Sequence, residues 1–327
     1  MWERSLGILS DMQSVTKPVL TDDDVARIVR DALGAEVVES AEFTDGYFNA
    51  AFGVRTADGR SLVVKVAPPA GLKLLRYEVD LMRTEIEFFE RAADAGVPVP
   101  AVRYADPDAG IIIMDRLGGE SFNDAKAKLP TADVLAIRRE LGAISAGINR
   151  VPGELFGYPR RDGRTRSRSW RESYLDIIDD ILADAVEYDR ELPLPAAGVR
   201  AVVERHGALL DTVTEPRLVH FDLWDGNVFV RDGHVEGIID GERALYADPL
   251  LELVSLSLNG PEDNAAVLDG YVGRSLTAEE ATRFCLYRVY LWLILVTEGA
   301  VRGYPPEADG LRQWALTRLT EDLASLA

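Results

Sequence analysis

The chain of 327 residues is long enough to bury a large core, and its length predicts two lobes or domains. A formal charge of −19 and the lack of a long basic stripe argue against nucleic acid as a partner, whereas the acidic balance suits either a cationic substrate or simple solubility. Cys285 is the only cysteine, so an intramolecular disulfide is excluded and a reducing cytoplasm is expected. Early acidic residues and short apolar runs predict neither a signal peptide nor a membrane span.

The N-terminal third of the chain predicts a helix, two strands and a second helix. The first helix covers residues 21–34, with Thr21 as its N-cap. Two β-branched runs, 47–56 and 61–67, lie on either side of a turn and predict a hairpin. Apolar residues at helical spacing then predict one continuous helix over 72–95.

The middle of the chain contains a buried strand and a basic segment. A continuous apolar run at 111–117, ended by two glycines, predicts the strand. Six arginines lie between Arg160 and Arg171, in a segment that could clamp an anionic substrate but is more typical of a solvated, mobile loop. Helical patterns predict helices in the remainder of the chain, from Thr131, from a capping box at Ser169, over 277–298 and over 306–326.

The stretch from Leu218 to Glu242 holds the candidate catalytic residues. Two β-branched runs in it flank an Asp-Gly turn, which is a strong hairpin signal, and Asp240 ends the second run. Asp222 and Asn227 lie just upstream, so two carboxylates and an amide are expected at one end of the hairpin. Phosphoryl transfer requires such a set, because it needs an acceptor for a hydroxyl proton and hard oxygen ligands for Mg²⁺.

A metal-dependent hydrolase is an alternative interpretation of the same stretch. His220 and Asp222 would face the same side of an extended segment and could share a metal ion. The chain has only three histidines, His206, His220 and His234, and they follow no metal-ligand pattern. The supply of ligands therefore disfavours a hydrolase.

The sequences HFDLWDGN, at 220–227, and IIDGE, at 238–242, resemble the catalytic and metal-binding loops of the aminoglycoside phosphotransferase-like kinases. That superfamily includes fructosamine and choline kinases. The resemblance implies an α+β, protein-kinase-like bilobal fold. Its N-lobe, an antiparallel sheet with a helix, would cover residues 1–117, and a mainly helical C-lobe would cover residues 118–327.

Carried over position by position, the resemblance implies a role for each candidate residue. Asp222 would be the catalytic base, His220 would brace its loop, and Asn227 and Asp240 would hold Mg²⁺. The nucleotide, ATP or GTP, would be bound by Lys65 with its partner Glu85, by the loop that ends at Asn49, by the backbone carbonyl of Asp115 and by the backbone amide of Leu117.

The resemblance leaves several positions open. Glu78 is the alternative to Glu85 as the acidic partner of the lysine. Asp248, in a segment that opens a C-lobe helix in the family, is expected to help fix the catalytic loop. Phe221 stands where relatives often have glycine, and Gly241 stands where they often have an aromatic residue.

The resemblance therefore implies a Mg²⁺-dependent O-phosphotransferase that acts on a small, hydroxylated and cationic molecule, first of all an aminoglycoside-type antibiotic or a related amino sugar. The run LWDGN also resembles the LWSGN of fructosamine kinases, so a metabolic fructosamine or sugar kinase stays open. Glu242, Glu252 and Glu298 are the carboxylates expected to meet a substrate amine. A binding-only pseudokinase is the alternative from another class, although the lysine, the base and the metal aspartate that such proteins lose are all present.

Overall fold

The computed structural model describes residues 16–44, 48–303 and 309–327. Its strands are β1 (Val37–Phe43), β2 (Ala50–Thr56), β3 (Ser61–Val66), β4 (Val102–Asp106), β5 (Ile111–Asp115), β6 (Glu120–Ser121), β7 (Arg217–Val219), β8 (Val228–Arg231), β9 (His234–Ile238) and β10 (Leu245–Ala247). Its α-helices are α1 (Asp22–Leu33), α2 (Leu81–Asp94), α3 (Phe122–Ala125), α4 (Thr131–Ile148), α5 (Trp170–Glu187), α6 (Ala196–Arg205), α7 (Gly207–Leu210), α8 (Leu253–Leu256), α9 (Pro261–Tyr271), α10 (Ala278–Arg302) and α11 (Asp309–Leu326). The start of the predicted strand at 47, part of the predicted phosphate loop and the first residues of the helix predicted over 306–326 lie outside the described residues.

Five strands form one antiparallel sheet in the order β1-β2-β3-β5-β4. Helix α1 covers one face of it and starts as predicted, because Thr21 accepts a hydrogen bond from the backbone amide of Asp24. Leu62 and Val64 of β3 are fully buried in the core that the sheet forms with this helix. Since side chains alternate along a strand, Lys65 lies on the opposite face of the sheet, toward α2 and the rest of the protein.

Helix α2 is shorter than the helix predicted over 72–95. The segment before Asp80 forms no helix, because this residue adopts a φ of +59° and the helix begins only after it. Glu78 in this segment is buried, accepts a hydrogen bond from the amide of Leu75 at 3.0 Å and pairs with Arg302 at 2.9 Å. Glu78, the alternative partner of Lys65, is therefore engaged elsewhere.

Two small sheets position the candidate catalytic stretch. Strand β7 pairs with β10, and β8 forms the predicted hairpin with β9 around Asp232 and Gly233, with β6 on its other side. The second strand of the hairpin ends at Ile238, two residues earlier than predicted. Asp240 lies beyond the strand with a φ of +67° and leads into a 3₁₀ turn, Gly241–Arg243.

The helical half of the protein surrounds α10, which packs against α5 and α11. This helix is long and apolar enough to cross a membrane, but 78% of its most apolar 18-residue stretch is buried inside the protein. Its tyrosines Tyr287 and Tyr290 are almost completely buried. Packing in the core therefore accounts for its apolar composition.

The arginine-rich segment is bound to neighbouring carboxylates. Arg161 pairs with Asp80 at 2.9 Å, and the Nε of Arg164 donates to Asp180 at 2.6 Å. These ion pairs connect the segment to the start of α2 and to α5. Four of the six arginines, Arg160, Arg161, Arg164 and Arg171, have a carboxylate partner within the protein, and residues 161–164 are exposed to solvent. The mobility of the loop stays a prediction.

The N-terminal caps of α10 and α5 differ in how completely the capping box is formed. Thr277 and Glu280 form a complete capping box at the start of α10. Ser169 accepts a hydrogen bond from the amide of Glu172, but the carboxylate of Glu172 binds the hydroxyl of Ser167 at 2.7 Å. The box predicted at Ser169 is thus only half formed.

Candidate active site

The candidate catalytic loop connects β7 to β8 and carries Asp222. The side chain of Asp222 is 19% exposed, and the guanidinium of Arg243 lies 3.8 Å away. Burial raises the pKa of Asp222 to about 6, although Arg243 acts in the opposite direction. A carboxylate held in this way suits a group that accepts a proton from a hydroxyl.

His220 is held by two hydrogen bonds within the loop. Its Nδ1 accepts from the backbone amide of Asp222 at 3.2 Å, and its Nε2 donates to the carbonyl of Ile239 at 2.9 Å. Burial lowers the pKa of His220 to about 4, so the ring is neutral at physiological pH. With both nitrogens engaged, the ring has no free position for proton transfer. This geometry fits the predicted bracing role, which stays a prediction.

Both departures from the family pattern have a structural reason. Phe221 has a φ of +66°, a conformation that costs about 1–3 kcal/mol for a residue other than glycine. Its ring stacks on that of Tyr290, with centroids 5.3 Å apart and planes 4° apart. At Gly241 a Cβ would lie 2.3 Å from the ring of Phe88, so Phe88 fills the space that a side chain at 241 would need.

Glu252 holds the catalytic loop from its buried side. It is 0% exposed, and its two oxygens accept from the amides of His220 at 2.8 Å and Phe221 at 3.3 Å. The expectation that Glu252 meets a substrate amine is therefore corrected, because it lies behind the loop. Asp248 binds the hydroxyl of Tyr287 at 2.6 Å and the Nε of Arg283 at 2.9 Å, and its expected role in fixing the loop stays a prediction.

We expect Glu252→Gln to loosen the catalytic loop. Glutamine has the same shape but one oxygen, so one of the two amides would face an NH₂ group and lose its acceptor. An unsatisfied buried donor costs about 1–3 kcal/mol, which should appear in the free energy of unfolding measured with urea. Turnover should decrease as well, since the loop carries Asp222.

Glu262→Gln is the matched control for this prediction, since Glu262 lies exposed in the first turn of α9. Its free energy of unfolding should change by less than about 0.5 kcal/mol. Equal effects of the two substitutions would contradict the bracing role of Glu252.

Lys65 lies at the centre of a buried cluster of carboxylates. Its Nζ is 2.8 Å from Glu85 on α2, 2.5 Å from Asp240 and 3.4 Å from Glu242. The lysine side chain is only 11% exposed, and its carboxylate partners hold its pKa well above the usual value although burial acts against this. The predicted pair of Lys65 and Glu85 is thus formed, and its nucleotide-binding role stays a prediction.

The three carboxylates share one ammonium group, and their pKa values shift in different directions. Lys65 keeps the pKa of Asp240 below its usual value against the effect of burial. Burial, with the charge of Asp240 nearby, raises the pKa of Glu242 to about 8. Glu242 also accepts a hydrogen bond from the side-chain Nδ2 of Asn49 at 2.5 Å. Glu242 thus connects the end of the predicted phosphate loop to the segment after Asp240, and it is not free for a substrate amine.

The donor set beside this cluster fits Mg²⁺. The Nδ2 of Asn227 donates to the backbone carbonyl of Asp222 at 2.8 Å, so its Oδ1 is the atom left for a metal. The carbonyl of Asn227 accepts from the amide of Ile239 at 3.0 Å, which ties this residue to the segment that leads to Asp240. Carboxylate oxygens of Glu85, Asp240 and Glu242 lie within 4.8 Å of one another. The ammonium group of Lys65 contacts all three, so only Asp240, the most exposed of them, is taken as a metal ligand together with Asn227. Hard oxygen donors of this kind suit Mg²⁺.

The predicted adenine-binding segment presents its backbone. The carboxylate of Asp115 is bound to Arg103 on the outside of the sheet, with Nε to Oδ1 at 2.7 Å. Among the described residues, the amide of Leu117 has no hydrogen-bond partner. A free backbone donor fits the predicted role of Leu117, which stays a prediction together with that of Asp115 and with the lobe boundary at residue 117.

Arg243 is a site residue that the sequence analysis did not identify. It is buried, lies near Asp222 and donates to Glu298 at 2.9 Å. Arg302 approaches the same oxygen of Glu298 at 3.3 Å, so this carboxylate is shared by two guanidinium groups. Glu298 therefore does not offer a free charge to a substrate amine. The only sequence signal for Arg243 is its position three residues after Asp240, which by itself predicts no contact.

A profile of the phosphotransferase enzyme family, APH, matches residues 39–285 of this chain. A search of curated protein sequences gave no match.

The following three proteins are among the solved structures with a fold similar to that of this chain. A candidate fructosamine-3-kinase from Thermobifida fusca is 23% identical, with a TM-score of 0.69 over 93% of this chain and 100% of that chain. A thermostable mutant of aminoglycoside phosphotransferase APH(4)-Ia is 18% identical, with a TM-score of 0.67 over 92% and 98%. APH(2″)-IIa in a ternary complex with streptomycin and ATP is 17% identical, with a TM-score of 0.65 over 94% and 99%. These similarities confirm the predicted α+β bilobal fold.

Proposed function

Because the chain belongs to the phosphotransferase enzyme family APH and is a phosphotransferase with an alcohol group as acceptor, we propose that it transfers the γ-phosphoryl group of ATP or GTP to a small hydroxylated molecule in a Mg²⁺-dependent reaction. One observation carries the proposal: Asn227 donates to the backbone carbonyl of Asp222, the charge of Asp240 adds to burial in raising the pKa of Asp222, and Asp240 contacts Lys65, so these groups lie close together. Proton acceptor, metal ligands and phosphate-binding cation are thus adjacent, as phosphoryl transfer requires.

Asp222 is the residue that acts on the acceptor. Its carboxylate accepts a hydrogen bond from the hydroxyl, orients the oxygen and takes the proton as the bond from that oxygen to the γ-phosphorus forms. The bond between the γ-phosphorus and the bridging oxygen breaks, and the nucleoside diphosphate leaves with that electron pair. Positioning by the loop and neutralisation of charge supply most of the acceleration.

The nucleotide is held by groups from both sides of the cleft. Lys65 binds the phosphates while Glu85 keeps its ammonium group in place, and Asn49 contributes to the same site through its contact with Glu242. Mg²⁺, when bound by Asn227 and Asp240, neutralises the charge of the phosphates. The backbone at 115–117 binds the edge of the purine.

Two acceptor classes follow from the family, an amino sugar of the aminoglycoside type and a sugar or fructosamine-type adduct. The similar structures represent both classes, since APH(2″)-IIa was solved with streptomycin and another structure is a candidate fructosamine-3-kinase. The three carboxylates expected to bind substrate amines are all engaged within the protein. This favours the sugar-type acceptor. The buried free thiol of Cys285 supports a reducing, cytoplasmic setting.

A coupled assay of nucleoside diphosphate release tests the proposal. The full chain with Mg²⁺ and ATP or GTP should release diphosphate faster when hydroxylated amines and sugars are added, and EDTA should abolish the release. Phosphorylated product should be detected by mass spectrometry. Release that is independent of Mg²⁺ would contradict the proposed reaction.

A further inference from the structure

A cavity of about 370 Å³ lies beside the catalytic loop, separate from the Lys65 cluster. Trp224 and Asp225, two and three residues after Asp222, form one wall of it. Ser255 lines it as well and accepts a hydrogen bond from the amide of Leu223 at 3.0 Å. The cavity is therefore built directly onto the loop that carries the proposed base.

The charged groups in the wall of this cavity neutralise one another. Asp225 binds Arg138 through both of its oxygens, with Nη2 to Oδ2 at 2.7 Å, and Lys126 approaches it at 3.1 Å. The Nε of Arg138 donates to Asp263 at 3.1 Å. Two cations thus face two carboxylates, so the wall offers no excess charge to a ligand.

Other groups in the wall are open to a ligand. Within the part of the chain that the structure describes, neither the indole N–H of Trp224 nor the side-chain amide of Asn123 has a hydrogen-bond partner. Asn259 adds a second amide; its Nδ2 donates to the carbonyl of Leu256 at 3.4 Å, so its Oδ1 is the atom left for a ligand. The indole of Trp224 lies over Gly226, where a Cβ would come within 2.2 Å of it, so the glycine allows the ring to take this position. An aromatic face with amides around it suits a ring that carries hydroxyl groups.

We propose that this cavity binds the polyhydroxylated ring of an uncharged acceptor, with the ring against Trp224 and its hydroxyls on Asn123 and Asn259. The inference rests on the proposed kinase function and assigns the acceptor to a class, the neutral sugars and polyols. A polycation would find no unpaired carboxylate here. The cavity lies on the same loop as Asp222, because at most about 7 Å of backbone separates residues 222 and 224. The proposal requires a hydroxyl of the bound ring to reach the carboxylate of Asp222.

The ribose of the nucleotide shares this chemistry and is the other possible occupant of the cavity. The two sources predict different kinetic effects. If the acceptor binds here, a change at Trp224 raises KM for the acceptor and leaves KM for ATP unchanged. If the ribose binds here, the same change raises KM for ATP.

The test measures ADP release by the full chain with Mg²⁺–ATP and a panel of probes. The neutral probes are D-fructose, D-ribose, ribitol and myo-inositol, and the cationic probes are gentamicin and hygromycin B. We expect at least one neutral probe to accelerate release, and Trp224→Leu to raise its KM at least ~10-fold, with KM for ATP within ~2-fold of the wild type. Trp224→Phe keeps an aromatic face and should restore most of the affinity.

Trp314→Leu, the same change on α11, is the control and should leave both KM values unchanged. Acceleration by the cationic probes alone, an unchanged acceptor KM in Trp224→Leu, or an increase in KM for ATP would each overturn the assignment. Protein that binds Mg²⁺–ATP but responds to no neutral probe at tens of millimolar would also overturn it and leave the kinase function standing. Protein that binds no Mg²⁺–ATP would overturn the proposed function itself.

Discussion

Replacement of Asp222 by asparagine is expected to preserve nucleotide binding and to lower turnover by at least ~100-fold. The amide has the size of the carboxylate but does not accept the proton of the acceptor hydroxyl. General-base catalysis typically contributes about 10²–10⁴-fold, which corresponds to about 3–5 kcal/mol of activation free energy. The measurement is the turnover number under saturating Mg²⁺–ATP and acceptor, with the Kd for the nucleotide determined separately.

The matched control is Asp211→Asn, which makes the same change at an exposed carboxylate paired with Arg171. We expect its turnover to equal that of the wild type. Turnover of Asp222→Asn within about 2-fold of the wild type would remove Asp222 from its proposed role.

Lys65→Met should reduce both activity and stability. Lys65 is the cation that Glu85, Asp240 and Glu242 share inside the protein, so its removal leaves buried carboxylates without compensation. Breaking a buried ion pair from one side costs about 3–5 kcal/mol, which should appear in the free energy of unfolding. KM for the nucleotide should rise because the phosphates lose their cation.

Two variants separate these effects. Lys65→Arg keeps the positive charge, so we expect it to recover most of the lost stability but not the activity, because a planar guanidinium does not reproduce the position of an ammonium group. Lys73→Met removes an exposed lysine paired with Glu187 and should cost less than about 1 kcal/mol. A Lys65→Met protein as stable as Lys73→Met would contradict the proposed importance of the buried cluster.

Local signals in the sequence were sufficient for the hairpin and for the positions of the candidate site residues. The spacing of Asp222, Asn227 and Asp240 depends on one turn, and the Asp-Gly pair predicts that turn. The apolar period predicts the helix that carries Glu85, whereas the pairing of Lys65 with Glu85 is predicted from the resemblance to the kinase family. The hairpin and the contact between Asn227 and Asp222 are local in sequence, so pattern and propensity determine their geometry, whereas the contact of Lys65 with Asp240 joins distant parts of the chain.

The remaining features depend on contacts between distant residues, which no local pattern records. Helical spacing continues through residues 72–80, but the backbone of Asp80 and the contacts of Glu78 prevent a helix there. Glu252 differs from Glu298 in no local respect, yet one holds the catalytic loop and the other binds arginines. Burial decides these roles, and burial depends on the packing of the whole fold.

Isothermal titration calorimetry of the full chain with ATP and GTP tests the central claim most directly. We predict that binding of at least one nucleotide requires Mg²⁺, is lost in EDTA and weakens at least ~10-fold in Asp240→Asn, which replaces the only charged one of the two proposed metal ligands by a neutral amide. Absence of binding for both nucleotides in the presence of Mg²⁺, or equal affinity with and without the metal, would contradict a magnesium-dependent phosphotransferase site formed by Asn227 and Asp240.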